Sequence, residues 1–235
     1  MSDRRLASGR PWALHAVLFS IILVVSSPAM GATITIEFTG IASIVAANLR
    51  DGPIDVGSSV SGSVSFSTNP GPNTYPNPGL GRYEYIDDET PISSFDITIG
   101  GYSAAIATGS PPIPSEHQIE VRDDYPYVLQ DGLFVAANVA GDSINGLTPQ
   151  SVQFALVSTD LSRIAGIEIP SVGEIESFLA SEGTESSNFL SFGGADTIRW
   201  NLSWFGVSIV PEPSTALLLS FGLVALGLSM RRRAR

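Results

Sequence analysis

The sequence predicts an all-β body: a two-layer antiparallel β-sandwich, jelly-roll-like, with one short helix, and a barrel as the second arrangement. Three observations carry this expectation. Apolar and polar residues alternate with a period of two in one short stretch after another. Clusters of Gly, Pro, Asn and Asp separate those stretches. Only one segment shows helical spacing.

The elements follow in chain order. Ile34, Ile36 and Phe38 alternate with Thr35 and Glu37. Val60, Val64 and Phe66 alternate with serines, with Gly62 in phase. Residues 69–81 hold four prolines and read as a long surface loop. Phe95, Ile97 and Ile99 alternate with Asp96 and Thr98, and Gly100-Gly101 signals a hairpin turn before Tyr102, Ala104 and Ile106. Ile119 and Val121 flank Glu120; Leu133, Val135, Ala137 and Val139 share one parity, as do Val152, Phe154 and Leu156. Ser171-Val172-Gly173-Glu174 fits a capping box, with Val172, Ile175, Phe178 and Leu179 on one face and Gly183 as a possible stop. Residues 182–196 are rich in Gly and Ser and are expected to loop out. The last strand places Ile198, Trp200, Leu202 and Trp204 on the core side. Its parity then flips to Phe205, Val207 and Ile209, which suggests a β-bulge.

Both ends differ from the body. Arg4, Arg5 and Arg10 precede the apolar stretch 13–25, then come Pro28 and Ala29-Met30-Gly31. That order reads as a secretory signal peptide, residues 1–31, passed through the Sec translocon and cut by signal peptidase. At the other end, Val210-Pro211-Glu212-Pro213-Ser214 leads into sixteen uncharged residues, Thr215–Met230, and then into Arg231, Arg232, Arg233, Ala234 and Arg235. A helix over 215–230 is ~24 Å long, short for a bilayer core but workable with thinning and arginine snorkelling. Arg231–Arg233 form a stop that stays cytoplasmic, leaving the body outside the cytoplasm. An ordinary C-terminal anchor has the same physics.

The Pro-Glu-Pro triplet, apolar run and basic end resemble the PEP-CTERM sorting signal of Gram-negative bacteria. The resemblance covers residues 210–235, with the motif at 210–214, the membrane helix at 215–230 and the basic tail at 231–235. It implies recognition through Pro211, Glu212 and Pro213 by an exosortase, an integral-membrane cysteine-protease-like enzyme. It further implies a transient inner-membrane anchor, then release to the cell surface or extracellular matrix. The family is associated with exopolysaccharide and biofilm formation.

Between these segments lies one domain, residues 32–209. The chain has 12 basic residues, all Arg; three precede the leader's apolar stretch and four end the tail, leaving five in the body. Of 23 carboxylates, removing Asp3 and Glu212 leaves 21, a body charge of −16. Such a body repels nucleic acid and anionic surfaces. The absence of cysteine excludes disulfides and thiol chemistry within the chain. His117 is the one histidine left after the leader, which rules out a multi-histidine zinc site within one chain.

Little else in the body carries chemistry. No Gly-x-Ser-x-Gly elbow or phosphate-binding loop occurs, so no catalytic residue and no resident cofactor are expected. Asp87, Asp88, Asp123 and Asp124 stand at expected strand ends and offer oxygen ligands for calcium; turn-forming acids facing water are the plainer reading. His117 is expected near a strand edge and solvated. Tyr83, Tyr85, Tyr125, Tyr127, Trp200 and Trp204 would form a sugar-stacking platform only if several shared an exposed face, and Trp200 and Trp204 are expected in the core. The expectation is a non-catalytic envelope or matrix protein. A carbohydrate-binding module is the alternative, with a secreted hydrolase behind it.

Overall fold

The structure, a computed structural model, describes residues 32–50, 53–74, 77, 79–84, 90–107, 117–123, 130–178 and 187–211. Ten strands are present among them: β1 (Ala32–Val45), β2 (Ser59–Ser67), β3 (Leu80–Glu84), β4 (Ile92–Ile99), β5 (Tyr102–Ile106), β6 (Gln118–Arg122), β7 (Asp131–Gly141), β8 (Ser151–Ser158), β9 (Asn188–Ser191) and β10 (Thr197–Pro211). One helix, α1 (Val172–Ser177), lies between β8 and β9.

Alternation dictates the strands because successive side chains face opposite sides of a sheet. In β1, Ile34, Ile36, Phe38, Gly40 and Ala42 are buried in turn. In β4, Phe95, Ile97 and Ile99 are buried while Asp96 and Thr98 are exposed. The β4–β5 hairpin turns on Gly100 and Gly101, with φ of 56° and 94°, and pairs Ile99 with Tyr102. Two consecutive positive φ values are what a tight hairpin needs, and glycine adopts them without a Cβ clash.

The ladder closes on itself. The strands run β7-β5-β4-β2-β1-β10-β9-β8, and β8 pairs back onto β7, giving an eight-strand antiparallel barrel-like sheet. β7 makes the closure possible. It gives one edge to β8 and divides the other between β6, opposite Gly132–Ala136, and β5, opposite Val139–Gly141. β3 adds to the outer edge of β6. The seams at β5–β7 and β8–β9 are short, the latter only Ser151–Gln153 against Phe189–Ser191. The all-β expectation holds, while the two-layer sandwich is not borne out: the hydrogen bonding follows a circuit rather than two separate sheets. An eight-strand barrel has an interior that side chains fill.

Phe38 is the hub of that interior. Its ring lies 6.3 Å from Phe95, 5.0 Å from Phe154 and 6.2 Å from a stacked Trp200, so side chains from β1, β4, β8 and β10 meet at one point. Gly62 of β2 leaves room for it: a Cβ there would stand 2.6 Å from Phe38 Cζ and would run into the Asp96 carbonyl.

Three details depart from the sequence reading. β9 falls inside the expected 182–196 loop, too short for alternation to reveal it. β3 begins at Leu80, inside the expected 69–81 loop. Trp204 is 51% exposed rather than buried. The parity flip occurs just before it would point inward: Ser203 and Trp204 are both exposed, and Phe205 is buried. The capping box is present, with Ser171 Oγ accepting from the Glu174 amide at 3.3 Å and Glu174 Oε2 accepting from the Ser171 amide at 2.7 Å. Phe178 is the C-cap of α1, and Leu179 and Gly183 lie outside the described residues.

Candidate functional site

The strand that carries the tail is β10. Its first half is core: Ile198 and Trp200 are fully buried, and β9 pairs with Thr197–Trp200. Beyond Trp200, among the described residues, β1 is its strand neighbour. The two run antiparallel, since the Ala46 amide donates to Thr197 O at 3.0 Å and Ser43 Oγ donates to Arg199 O at 3.3 Å. The start of β1 and the end of β10 therefore share one rim of the barrel. Ala32 is fastened there: its amide donates to Thr68 Oγ1 at 2.8 Å, and its carbonyl accepts from the Thr68 amide at 2.7 Å. Phe205 is the last buried side chain of β10, while Ser208, Ile209 and Val210 are all exposed.

The acidic residues have structural partners that the sequence did not reveal. Four consecutive amides in the segment between β8 and α1 are met by three carboxylates. Asp131 Oδ2 accepts from Arg163 and Ile164 at 2.9 Å each, Glu174 Oε1 from Ala165 at 3.2 Å, and Asp123 Oδ2 from Gly166 at 2.7 Å. The Tyr83 hydroxyl then donates to Ile167 O at 3.1 Å and to Glu168 Oε2 at 3.2 Å. Burial first, and then the charge of Glu168, push the Tyr83 hydroxyl up to about 12. Burial and Asp142 do the same for Tyr102, also to about 12. Burial raises the Glu174 carboxyl, but hydrogen bonds from Ser171 and the Ala165 amide outweigh it, and the group sits below its ordinary value. Glu120, flanked in sequence by Ile119 and Val121, is buried between Arg82 and Arg122, each at 2.7 Å. Arg122 in turn lies 4.1 Å above the Phe134 ring.

Among the calcium candidates, Asp123 holds the Gly166 amide; Asp87, Asp88 and Asp124 lie outside the described residues. Among the described residues no group of three or more His, Asp or Glu is placed to hold a metal ion. His117, expected to be solvated, is instead buried just ahead of β6, with its Nδ1 3.3 Å from Thr90 Oγ1. Three of the six aromatic candidates are among the described residues. Tyr83 and Trp200 are buried, Trp204 is exposed, and Tyr85, Tyr125 and Tyr127 lie outside the described residues.

Glu212, Pro213 and Arg231–Arg233 likewise lie outside the described residues, as do residues 1–31; Pro211 enters as the last backbone position of β10. Among the described residues no helix is long and apolar enough to cross a membrane, and the apolar run 215–230 is not among them.

Residues 210–233 match the PEP-CTERM protein-sorting motif. No curated protein and no solved structure matches the chain. The match begins at Val210, the penultimate residue of β10. It implies an exported protein, anchored transiently in a membrane, with an exosortase as its processing partner.

Proposed function

We propose that this chain is a non-catalytic surface or matrix protein, delivered by exosortase-dependent sorting and associated with exopolysaccharide or biofilm. Residues 1–31 act as a leader removed by signal peptidase, residues 32–209 are the cargo, and residues 210–235 are the address. Within the address, Pro211, Glu212 and Pro213 serve as the recognition element. Arg231, Arg232 and Arg233 hold the tail's far end on the cytoplasmic side of the inner membrane. The single observation that carries this reading is the sorting motif at residues 210–233.

The body supports a cargo role. Phe38, Phe95, Phe154 and Trp200 occupy the middle of the barrel, and the buried Asp131 is committed to backbone amides. A charge of −16 suits a protein that stays soluble and does not bind nucleic acid. Deleting the exosortase gene should leave the precursor full-length and membrane-bound in a pulse-chase. Maturation at normal size in that strain would defeat the proposal.

A carbohydrate-binding role is the second reading, favoured by Trp204, whose indole is half exposed and lies across Gly206. It requires that polysaccharide retention fall when Trp204→Ala is introduced. Equal retention of both forms, or none of either, removes it.

A further inference from the structure

The chain holds a single Asn-Gly pair, Asn145-Gly146, and both residues are exposed in the connection between β7 and β8. Ile144 and Leu147 bracket the pair as an antiparallel bridge, each amide donating to the other's carbonyl at 2.9 Å. Asn145 and Gly146 take φ of 51° and 79°, the two positive values of a type I′ turn. Among the described residues Asn145 is the one non-glycine residue with positive φ.

The pair is also chemically reactive. A backbone amide nitrogen can attack the side-chain carbonyl carbon of the residue before it, closing a five-membered ring. Glycine in the attacking position has no Cβ to obstruct the approach. The Gly146 nitrogen bonds to Asn145 Cγ, the Cγ–Nδ2 bond breaks, and ammonia leaves carrying the amide proton. Water then opens the succinimide at one carbonyl or the other, leaving aspartate or isoaspartate at position 145. The balance needs no oxidant, metal or enzyme. The same ring closure at Asp131-Gly132 would expel water, but Asp131 is fully buried and its carboxylate accepts from the Arg163 and Ile164 amides. Asp51-Gly52 lies outside the described residues.

In the folded chain Asn145 is latched. Its Nδ2 donates to the Asn48 carbonyl at 2.8 Å, and Asn48 Nδ2 donates to Asp196 Oδ1 at 3.0 Å. Two amide side chains thus join the β7–β8 connection, the turn after β1 and the turn before β10. An amide held on Asn48 is not free to swing back over the Gly146 nitrogen.

We propose that Asn145-Gly146 is a spontaneous deamidation site, that the latch to Asn48 sets its rate, and that conversion unfastens this end of the barrel. The product has lost the Nδ2 donor and sets a carboxylate against the Asn48 carbonyl. Isoaspartate also adds a backbone carbon to a two-residue turn whose neighbour, Ile144, is buried in the core.

The test incubates the purified full-length protein at mildly alkaline pH, folded and in urea. Peptide mapping that separates asparagine, aspartate and isoaspartate follows residue 145. The folded chain should convert at Asn145, but on the order of fivefold or more slowly than the unfolded chain, because the latch must open first. Asn48→Ala, at an exposed position, removes the tie to Asp196 and should speed the folded reaction about twofold or more. Asn145→Asp, the product made directly, should unfold at a lower urea concentration than the wild type. Equal rates in the folded and unfolded chains, or an unchanged folded rate in Asn48→Ala, overturn the latch. Asn145 still intact in the folded chain after long incubation overturns the site. A wild-type urea midpoint for Asn145→Asp overturns the unfastening.

Discussion

Replacing Asp131 by Ala strips the Arg163 and Ile164 amides of their common acceptor inside the barrel wall. Buried donors left without a partner, and bonds to a charged acceptor lost, cost about 3 kcal/mol together. Urea unfolding should show that loss with an unchanged slope. The tyrosines make a second residue-level prediction. Tyr83 and Tyr102 have hydroxyls raised from 10 to about 12, so the folded state favours the neutral form. Their contribution is complete below pH 10, where unfolded tyrosine is also neutral, and is lost as pH rises from 10 through about 12. Phenolate absorbance should include a component rising near pH 12, and Tyr83→Phe with Tyr102→Phe should remove it. Neither feature was legible in the sequence. Asp131 stood in no motif, because a carboxylate serving amides thirty residues away leaves no local spacing. Tyr83 was visible only as one aromatic of a sugar-stacking platform, because hydrogen bonds to residues more than eighty positions away leave no local spacing.

At the scale of elements, periodicity was informative where strands were long. β1, β4, β7 and β8 follow the alternation that the sequence showed, and the Gly100-Gly101 turn and the Ser171–Glu174 cap are in place. Ser171→Ala should cost about 1 kcal/mol, because the Glu174 amide then has no cap. The loss should register as a lower urea midpoint. β9 escaped notice because four residues are too few for a period to emerge, and because its flanks are Ser- and Gly-rich. Trp204 was misplaced because parity was carried one residue beyond the flip; the exposed Ser203-Trp204 pair is its signature. Gly62 gives the packing prediction for this scale. An Ala there meets the Phe38 ring and the Asp96 carbonyl of the neighbouring strand. Gly62→Ala should destabilise by about 1–3 kcal/mol through overpacking, which thermal unfolding by circular dichroism would register.

For the whole molecule, alternation cannot distinguish a sandwich from a barrel, since both bury one face of every strand. The difference lies in which edges meet. Here it depends on Ala104–Ile106 reaching Val139–Gly141 and on Ser151–Gln153 reaching Phe189–Ser191, pairings between residues far apart in the chain. The sorting tail was legible for the opposite reason. Its chemistry is linear: a short polar motif, an apolar run and a basic stop, in order, with no dependence on the fold. Glu212→Ala should leave the protein full-length and membrane-bound, which immunoblotting of the membrane fraction would reveal. Neutralising Arg231–Arg233 should lower the membrane-retained fraction in a pulse-chase.

The intact mass of the protein recovered from the cell surface tests the central claim most directly. The account predicts a species that begins near Ala32 and lacks the apolar run and arginines, and whose C-terminal trimming disappears when exosortase is deleted. A polypeptide carrying both ends intact, recovered from the cytosol of wild-type cells, would contradict it.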